Sequence, residues 1–370
     1  TKRLGAEAAA ELKENGVELA EYDDVLSFLA AQTETQTVLA DPASVNYAVY
    51  QTLEANPALT VKDEADPLLP MKGVKNEVEL AHTREAHLRD GVAMVRFQIE
   101  LENRLAAGEE LTELTIDEIL HKYRSAQDKF LTESFGTIAA YGPNAAMMHY
   151  AATPGSDAEL KPEGFLLVDS GGHYFEGTTD ITRTMALGSI TDEMRLHFTT
   201  VCRSNMNLAN AKFLYGCTGL NLDILSRGPL WQMGIDYKCG TGHGVGYILN
   251  VHEGPNGFRW RVVPERHDNG TLEEGMVTTD EPGVYLEGKY GIRTENELVC
   301  HKAEKNEYGQ FMNFENITYA PIDLDAIDPD EMTGREKKML NDYHAMVYKT
   351  LSPYMTPEEN EWLKKYTRAI

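Results

Sequence analysis

The sequence is poor in cysteine and has no long apolar run. Its four cysteines include no Cys-x-x-Cys pair, so neither a disulfide framework nor a thiolate zinc site is predicted. No apolar stretch approaches the ~20 residues of a membrane-spanning helix, and no signal-peptide core is present. These absences favour a reducing, cytoplasmic compartment and argue against a membrane as a partner.

Basic residues are also scarce. The chain has 34 Lys and Arg against 59 Asp and Glu, a formal net charge of −25. Because binding to nucleic acid or anionic lipid needs basic patches, this balance argues against both as partners. With 42% hydrophobic and 25% charged residues, the composition is that of an ordinary folded protein.

The first 70 residues have too few apolar residues to predict a core of their own. Leu4–Leu29 is rich in Ala, Glu and Leu and predicts a helix, and Gln36–Ala40 predicts a short strand. The proline-containing stretch Asp66–Pro70 predicts a linker. Because this part lacks the apolar residues for its own core, we expect residues 1–70 to be the remnant of a preceding domain and its linker; the missing initial methionine indicates that upstream sequence has been removed.

The remainder alternates helical and hairpin patterns. Asn76, with Glu79 three residues later, predicts the capped start of a long helix, and Thr115 with Glu118 predicts a second capping box. Residues 165–187 have the pattern of a β-hairpin, and further elements are predicted as helices at 191–215, 220–233, 328–351 and from Thr356, and as strands at 275–285 and 291–300. This mixture favours an α+β fold over a parallel βαβ sheet.

Three glycine-bounded segments carry side chains typical of metal ligands. They are Val168–Gly172 with Thr179–Thr184, the run Gly240–Gly246, and Asp280–Tyr285 with Gly291–Asn296. Asp169 and Asp180 are eleven residues apart, a spacing that a hairpin can fold back into proximity.

Several carboxylates with one imidazole suit a pair of divalent ions such as Mn²⁺, Zn²⁺ or Co²⁺. If Asp169, Asp180, Glu281 and Glu295 converge near His243, four negative charges share one pocket. Two divalent ions would cancel that charge, whereas without them repulsion would raise the carboxyl pKa values. The combination therefore predicts a two-metal hydrolytic site.

Each motif alone has a simpler explanation. An Asp at a strand end is usually a turn or cap residue, and a His among glycines is usually a loop residue. The glycine run also suggests a phosphate cradle, but no Lys-Ser/Thr follows it. The three segments in this order favour the metal site.

With these motifs, the stretch from Lys75 to Pro321 resembles the metallopeptidase family of aminopeptidase P, prolidase and methionine aminopeptidase. That resemblance implies the family's pita-bread catalytic fold. It also implies that Asp169 chelates one metal, that Asp180 and Glu295 bridge the pair, and that His243 and Glu281 complete the second site.

The resemblance also implies roles around the metals. His149 matches a histidine near the substrate carbonyl, and His252 matches the one that steadies the scissile carbonyl. Tyr285 and Arg293 match positions that orient ligands and shape the proline pocket, although Tyr285 could be a packing residue and Arg293 could simply pair with a carboxylate. Many aminopeptidases P have His where this chain has Cys239, so no catalytic role is assigned there.

The tail, including Tyr319–Asp325, resembles the C-terminal extension of large, three-domain cytosolic members of the family. We therefore expect a catalytic domain at 71–321 and a C-terminal helical extension at 322–370. A homodimer is also expected from the resemblance.

The resemblance implies an aminopeptidase that hydrolyses the N-terminal Xaa-Pro bond by attack of a metal-bridging hydroxide. Glu281 would accept and return the proton, while His252 and His149 assist at the carbonyl. Two divalent ions are expected as cofactors, manganese first and zinc or cobalt as alternatives, and the partners are peptides with proline second. The alternatives are a prolidase restricted to dipeptides and a catalytically silent binding protein.

Overall fold

The computed structural model describes residues 4–248 and 250–370. The chain divides into two units, one ending at Leu69 and one running from Pro70 to Ile370. Residues on both sides of position 321 thus belong to one unit. No helix in the described ranges is long and apolar enough to cross a membrane.

The single helix predicted for Leu4–Leu29 is wrong. The segment contains two helices, α1 (Ala6–Glu14) and α2 (Val25–Ala30). Gly16, with a φ of +76°, follows α1 directly. A left-handed glycine just past the last turn is a common helix stop, and it outweighs the helix-forming composition around it.

A parallel strand pair forms the centre of the amino-terminal unit. Strands β1 (Gln36–Ala40) and β2 (Leu59–Asp63) pair along their whole length, with helix α3 (Tyr47–Ala55) between them in the chain. Among the described residues of this unit, the buried apolar side chains are Ala40 and Leu53.

The long central helix begins where its capping residues predict. After α4 (Leu68–Gly73), helix α5 runs over Glu77–Ala106. The Asn76 side chain accepts the Glu79 amide at 3.0 Å, and the Glu79 carboxylate accepts the Asn76 amide at 2.8 Å. This reciprocal pair satisfies two donors that the first helical turn would otherwise leave unpaired.

The capping box predicted at Thr115 is wrong by one turn. Helix α6 spans Glu113–Ser125, and its N-cap is Thr112. Thr115 occupies the third helical position, where its hydroxyl accepts the Thr112 amide at 2.7 Å. Two threonines therefore form the box that was assigned to a Thr–Glu pair.

The remaining elements of the second unit alternate short strands with helices. In chain order they are β3 (Phe130–Glu133), β4 (Ile138–Tyr141), β5 (Phe165–Ser170), β6 (Gly172–Tyr174), β7 (Gly177–Thr178), β8 (Ile181–Ala186), α7 (Asp192–Ala209), β9 (Lys212–Leu214), α8 (Gly219–Gln232), β10 (Gly242–His243), β11 (Gly257–Phe258), β12 (Val277–Asp280), β13 (Gly283–Leu286), β14 (Tyr290–Arg293), β15 (Asn296–Asn306), β16 (Gly309–Asn316), α9 (Gly334–Leu351) and α10 (Pro357–Tyr366).

Antiparallel pairing organises these strands, so the α+β prediction is confirmed. The predicted hairpin is the pair β5–β8, with β4 beside β5 and the short strands β6 and β7 inserted between its arms. A second sheet has the order β12-β15-β16-β9, and β13 pairs with β14.

The two strands predicted at 275–285 and 291–300 are each interrupted at a candidate ligand. The stretch 275–285 breaks at Glu281-Pro282, between β12 and β13. Proline has no N–H for a ladder bond, and the Glu281 amide instead donates to Thr241 O at 2.7 Å. The stretch 291–300 breaks at Thr294-Glu295.

Two predicted helices have different ends. Helix α7 stops at Ala209, well before Tyr215, because residues 212–214 pair with β16 as strand β9. The helix expected from Asp328 begins only at Gly334, capped by Thr333. The predicted cap at Thr356, with Pro357 in the first turn, is confirmed.

The C-terminal helices share a core with the strands and helices before them. One buried apolar cluster joins Val95 of α5, Phe198 of α7, Ile292 of β14, Leu340 of α9 and Leu363 of α10. Removing α9 or α10 would therefore expose the core behind the sheets.

His344 of α9 generates a pH prediction. Its ring is fully buried and its Nε2 accepts the Ile322 amide at 3.1 Å. Burial, with the Arg183 and Arg368 charges, lowers the His344 pKa to about 3. Because the folded protein holds this histidine neutral, its contribution to stability is present above pH 6.5 and is lost as pH falls towards 3.

Below pH 6.5, the free energy of unfolding of wild type should fall relative to that of His344→Gln. We expect the relative loss to be about 1.4 kcal/mol per pH unit. Urea unfolding at pH 7.5, 6.5 and 5.5 measures it. His267→Gln, at an exposed histidine, controls for the substitution. A difference that stays constant over this range would contradict the expectation.

Candidate metal centre

Strands β5 and β8 bring the two aspartates to the same end of their hairpin. Asp169 lies opposite Thr182 in the register, and Asp180 directly precedes β8. Asp169 is 8% exposed and Asp180 is 3% exposed. Within the described residues, one buried carboxylate oxygen of each, Oδ1, has no hydrogen-bond partner.

The glycine run places His243 beside these carboxylates. A Cβ on Gly242 would lie 1.8 Å from Thr279 O, so only glycine lets β10 approach β12 this closely. The His243 Nδ1 lies 3.0 Å from Gly244 O. A donating Nδ1 leaves Nε2 free, 3.4 Å from Asp180 Oδ2 and 3.6 Å from Glu281 Oε1.

The strand breaks supply the two glutamates. Glu281 follows β12, and Thr279 donates to its Oε1 at 3.3 Å. Glu295 precedes β15 and accepts the Thr182 hydroxyl at 2.7 Å. Ligand-type atoms of Asp180, His243 and Glu295 all lie within 4.8 Å of one another.

Crowding of carboxylates dominates the electrostatics. The pKa values of Asp180 and Glu295 are raised well above their usual range, first by burial and then by neighbouring carboxylates. Burial also raises the pKa of Glu281. An oxygen-rich donor set with one imidazole and unpartnered buried oxygens fits divalent cations, which would offset this charge.

Arg293 links the cluster to Tyr285. The guanidinium, 2% exposed, donates to Asp169 Oδ2 at 2.5 Å, to the Tyr285 hydroxyl at 2.7 Å and to the Thr182 hydroxyl at 3.1 Å. The structure thus shows both contacts that the two interpretations of Arg293 require. Arg293 pairs with a carboxylate and holds the tyrosine.

His252 and His149 lie at the solvent side of the cluster. The rings of His252 and His243 are 4.2 Å apart, edge to face. Although His252 is open to solvent on one side, partial burial and the nearby His243 and His149 lower its pKa to about 4. His149 is exposed and follows Met148, whose carbonyl accepts from Arg293 at 3.4 Å.

Cys239 lies at the edge of the site without the features of a reactive thiol. It is partly buried and packs against the same apolar cluster as Tyr285. Burial, then the charge of Glu281, raises its pKa to about 12. A neutral thiol is a poor nucleophile and a weak hydrogen-bond donor.

The sequence analysis did not identify the buried residues that form hydrogen bonds with the neighbours of the candidate ligands. Thr179, next to Asp180, donates to Asp90 at 2.6 Å, and Asp90 accepts from the buried Arg124 at 2.5 Å. Thr182 and Arg183 lie in the Thr179–Thr184 segment that the sequence analysis selected. The alternating threonines of that segment do not indicate which distant residues Thr182 and Arg183 contact. Asp90 and Arg124 are on different helices, and no local pattern joins them.

Three models of known families match successive parts of the chain. A model of metallopeptidase family M24 matches residues 81–302, and one of the C-terminal region of peptidase M24 matches residues 310–370. A model of the creatinase/prolidase N-terminal domain matches residues 1–79.

Curated relatives are longer than this chain. Aminopeptidase P1 of Arabidopsis thaliana is 37% identical over 100% of this chain and 64% of its own length. A probable Xaa-Pro aminopeptidase P of Coprinopsis cinerea is 36% identical over 98% of this chain and 61% of its own length. The chain thus spans less than two thirds of these relatives.

Solved structures share the fold. An X-prolyl aminopeptidase from Caenorhabditis elegans, described as a cytosolic enzyme with a di-nuclear active site, matches with a TM-score of 0.90 and 34% identity over 100% of this chain and 61% of its own. Prolidase from Pyrococcus furiosus matches with a TM-score of 0.60 and 22% identity over 82% of this chain and 80% of its own. The predicted pita-bread fold is confirmed.

The raised carboxyl pKa values predict that cation binding displaces protons. As pH falls, more protons occupy Asp180 and Glu295, so apparent Mn²⁺ affinity should fall and proton release should rise. Calorimetric titration in buffers of different ionisation enthalpy measures both quantities. Asp180→Asn should release fewer protons, and a pH-independent affinity would contradict the prediction.

Proposed function

Since the chain belongs to metallopeptidase family M24, we propose that it is a dinuclear metal-dependent aminopeptidase that hydrolyses the bond between an N-terminal residue and proline. The observation that carries the proposal is the convergence of Asp180, His243 and Glu295, whose ligand atoms lie within 4.8 Å of one another. The names of the relatives support the Xaa-Pro specificity.

The proposed ligand set is the one that the family resemblance implies. Asp169, Asp180, His243, Glu281 and Glu295 would together hold the two ions. The short His243–Asp180 and His243–Glu281 separations and the unpartnered aspartate oxygens support it. We propose manganese first, with zinc or cobalt as alternatives, because such donors accept all three.

Glu281 is the proposed proton carrier. When bound, a pair of divalent ions lowers the pKa of water and polarises a carbonyl. The side chain of Glu281 is 23% exposed, compared with 5% for Asp180. Greater access to the cleft suits the group that accepts a proton from the attacking water and returns it to the leaving proline nitrogen.

The two histidines are the proposed carbonyl-binding groups. With its pKa lowered to about 4, His252 is neutral at pH 7 and can donate one N–H to the carbonyl oxygen. His149 has solvent access beside it. As a neutral donor, His252 adds no charge that would compete with the cations.

Proline selectivity would come from the wall of the cleft near Tyr285 and Arg293. Their 2.7 Å contact fixes the phenol, which gives the pocket a rigid aromatic face. Because the proline ring has a fixed shape and its nitrogen carries no hydrogen, a rigid pocket can accept it without a donor or acceptor for that atom.

Two rival functions use the same site. A prolidase would cleave only dipeptides; the structural likeness to prolidases lies below 25% identity and shows the fold alone. A silent binding protein is disfavoured because all five candidate ligands are present. We further propose a cytoplasmic homodimer that acts on peptides, and residues 1–70 as part of a preceding domain.

A peptide that begins Arg-Pro-Pro should lose its first arginine. Mass spectrometry should show cleavage only between Arg and the first Pro, faster with added Mn²⁺ because the ions complete the site. The matched Arg-Pro dipeptide is the comparison. Cleavage of the dipeptide alone would favour prolidase over the proposed aminopeptidase.

Glu281→Gln should lower kcat for Xaa-Pro cleavage about 10²–10⁴-fold, the usual range for a general acid–base group. Glutamine keeps an oxygen but cannot carry the proton. Steady-state kinetics with Mn²⁺ measures the effect, and Glu287→Gln, at an exposed glutamate, should match wild type. Retained kcat in Glu281→Gln would remove the proposed role.

A further inference from the structure

The two faces of strand β8 contact different parts of the protein: one faces the candidate metal centre and the other faces α9. Side chains alternate along a strand, so Thr182 faces the metal cluster, where its hydroxyl donates to Glu295 at 2.7 Å. Arg183 projects to the opposite side, towards α9, and is 1% exposed. It lies behind the candidate centre.

Arg183 has an unusual set of partners for a buried cation. Its guanidinium donates at 2.7–3.0 Å to neutral acceptors, and no carboxylate in the described part of the chain forms an ion pair with it. The acceptors are Thr182 O, Glu295 O, Asn296 Oδ1, Ala320 O, Pro321 O and the Tyr343 hydroxyl.

Two of these acceptors belong to segments that carry candidate ligands. Arg183 Nη1 lies 2.7 Å from Thr182 O and 2.7 Å from Glu295 O. Thr182 O also accepts the Glu295 amide at 3.1 Å. One nitrogen thus fixes the start of β8, which follows Asp180, against the turn that carries Glu295.

The opposite side of the guanidinium is anchored by the C-terminal segment. Tyr343 of α9, 6% exposed, accepts from Arg183 Nη2 at 2.7 Å and lies within donor distance of Ala320 O at 2.6 Å. Burial raises the Tyr343 pKa, so the phenol keeps its proton and can accept and donate at once.

Asn296 extends the network to the second glutamate. Its Oδ1 accepts from Arg183 at 2.7 Å, and its Nδ2 donates to Asn205 at 3.2 Å. Asn205 in turn donates to Asp280 O at 2.7 Å, one residue before Glu281. Both asparagines are fully buried. The network therefore touches the segments of three candidate ligands.

We propose that Tyr343 is a positioning residue for the metal centre: through Arg183 it fixes the backbone of Glu295, so the C-terminal helical segment tunes metal affinity. The inference rests on the ligand assignment of the proposed function. Outer groups that orient metal ligands commonly change affinity 10–100-fold. Their effect comes through geometry, without contact with substrate.

Tyr343→Phe removes the hydroxyl with little change in shape. We expect Mn²⁺ affinity of the weaker site to fall about 10-fold, measured by calorimetry on folded protein. At saturating Mn²⁺ we expect kcat to fall while KM stays near wild type. Unchanged affinity and kcat, whatever the melting temperature, would overturn the proposal.

Two controls separate positioning from stability. Tyr348→Phe changes a second tyrosine on α9, one that is only partly buried, and should bind Mn²⁺ as wild type does. Val347→Ala opens a cavity in the core beside Tyr343 and should lower the melting temperature with affinity unchanged. An equal loss of affinity in Val347→Ala would show that stability alone is responsible.

If Tyr343→Phe does not fold, Arg183→Lys tests the same path, because one ammonium cannot span the Tyr343 hydroxyl and Glu295 O as the guanidinium does. The same loss of affinity is expected, and wild-type affinity would overturn the proposal. Wild-type protein that binds two ions but cleaves no Xaa-Pro bond would defeat only the proposed substrate. Wild-type protein that binds no ion would defeat the ligand assignment and this inference together.

Discussion

The crowding of four carboxylates around one imidazole is the constraint on which the rest of the centre depends. Inside a folded core such charges repel strongly and lose hydration. Arg293 pairs with one of them, Asp169, and is the arginine or lysine in the described ranges that forms such an ion pair. The surrounding structure must hold the ligands against this repulsion until cations arrive, and that requirement explains why so much buried polar structure lies behind them.

Two kinds of hydrogen bond hold these ligands: bonds from side chains to their carboxylates, and bonds from side chains to the backbone beside them. Thr182 and Thr279 donate to ligand oxygens, while Arg183 and Asn205 bind carbonyls next to ligands. Binding the backbone leaves carboxylate oxygens free for cations. Arg183 itself is surrounded by carbonyls, an amide and a phenol, so this buried cation is satisfied without a carboxylate partner.

Most features that depend on neighbouring residues or on a short motif could be predicted from the sequence. The hairpin of Asp169 and Asp180, the cap at Asn76 and the five candidate ligands were all identified from short patterns. The errors have equally local causes. Gly16 ends a helix despite its alanine-rich surroundings, Thr112 takes the cap assigned to Thr115, and Pro282 breaks a strand whose apolar pattern continues.

What the sequence could not supply is the pairing between distant buried polar residues. Arg183 and Tyr343 are separated by 160 positions yet are in direct contact, and neither has a local pattern that names its partner. An arginine on a strand usually predicts a solvated surface position. Its burial becomes intelligible only when α9 covers the back of β8, since that packing both excludes water and supplies the phenol oxygen. The helical segment after residue 321 therefore does more than cover apolar surface: it completes the hydrogen bonding of a cation whose other donors fix the turn of Glu295.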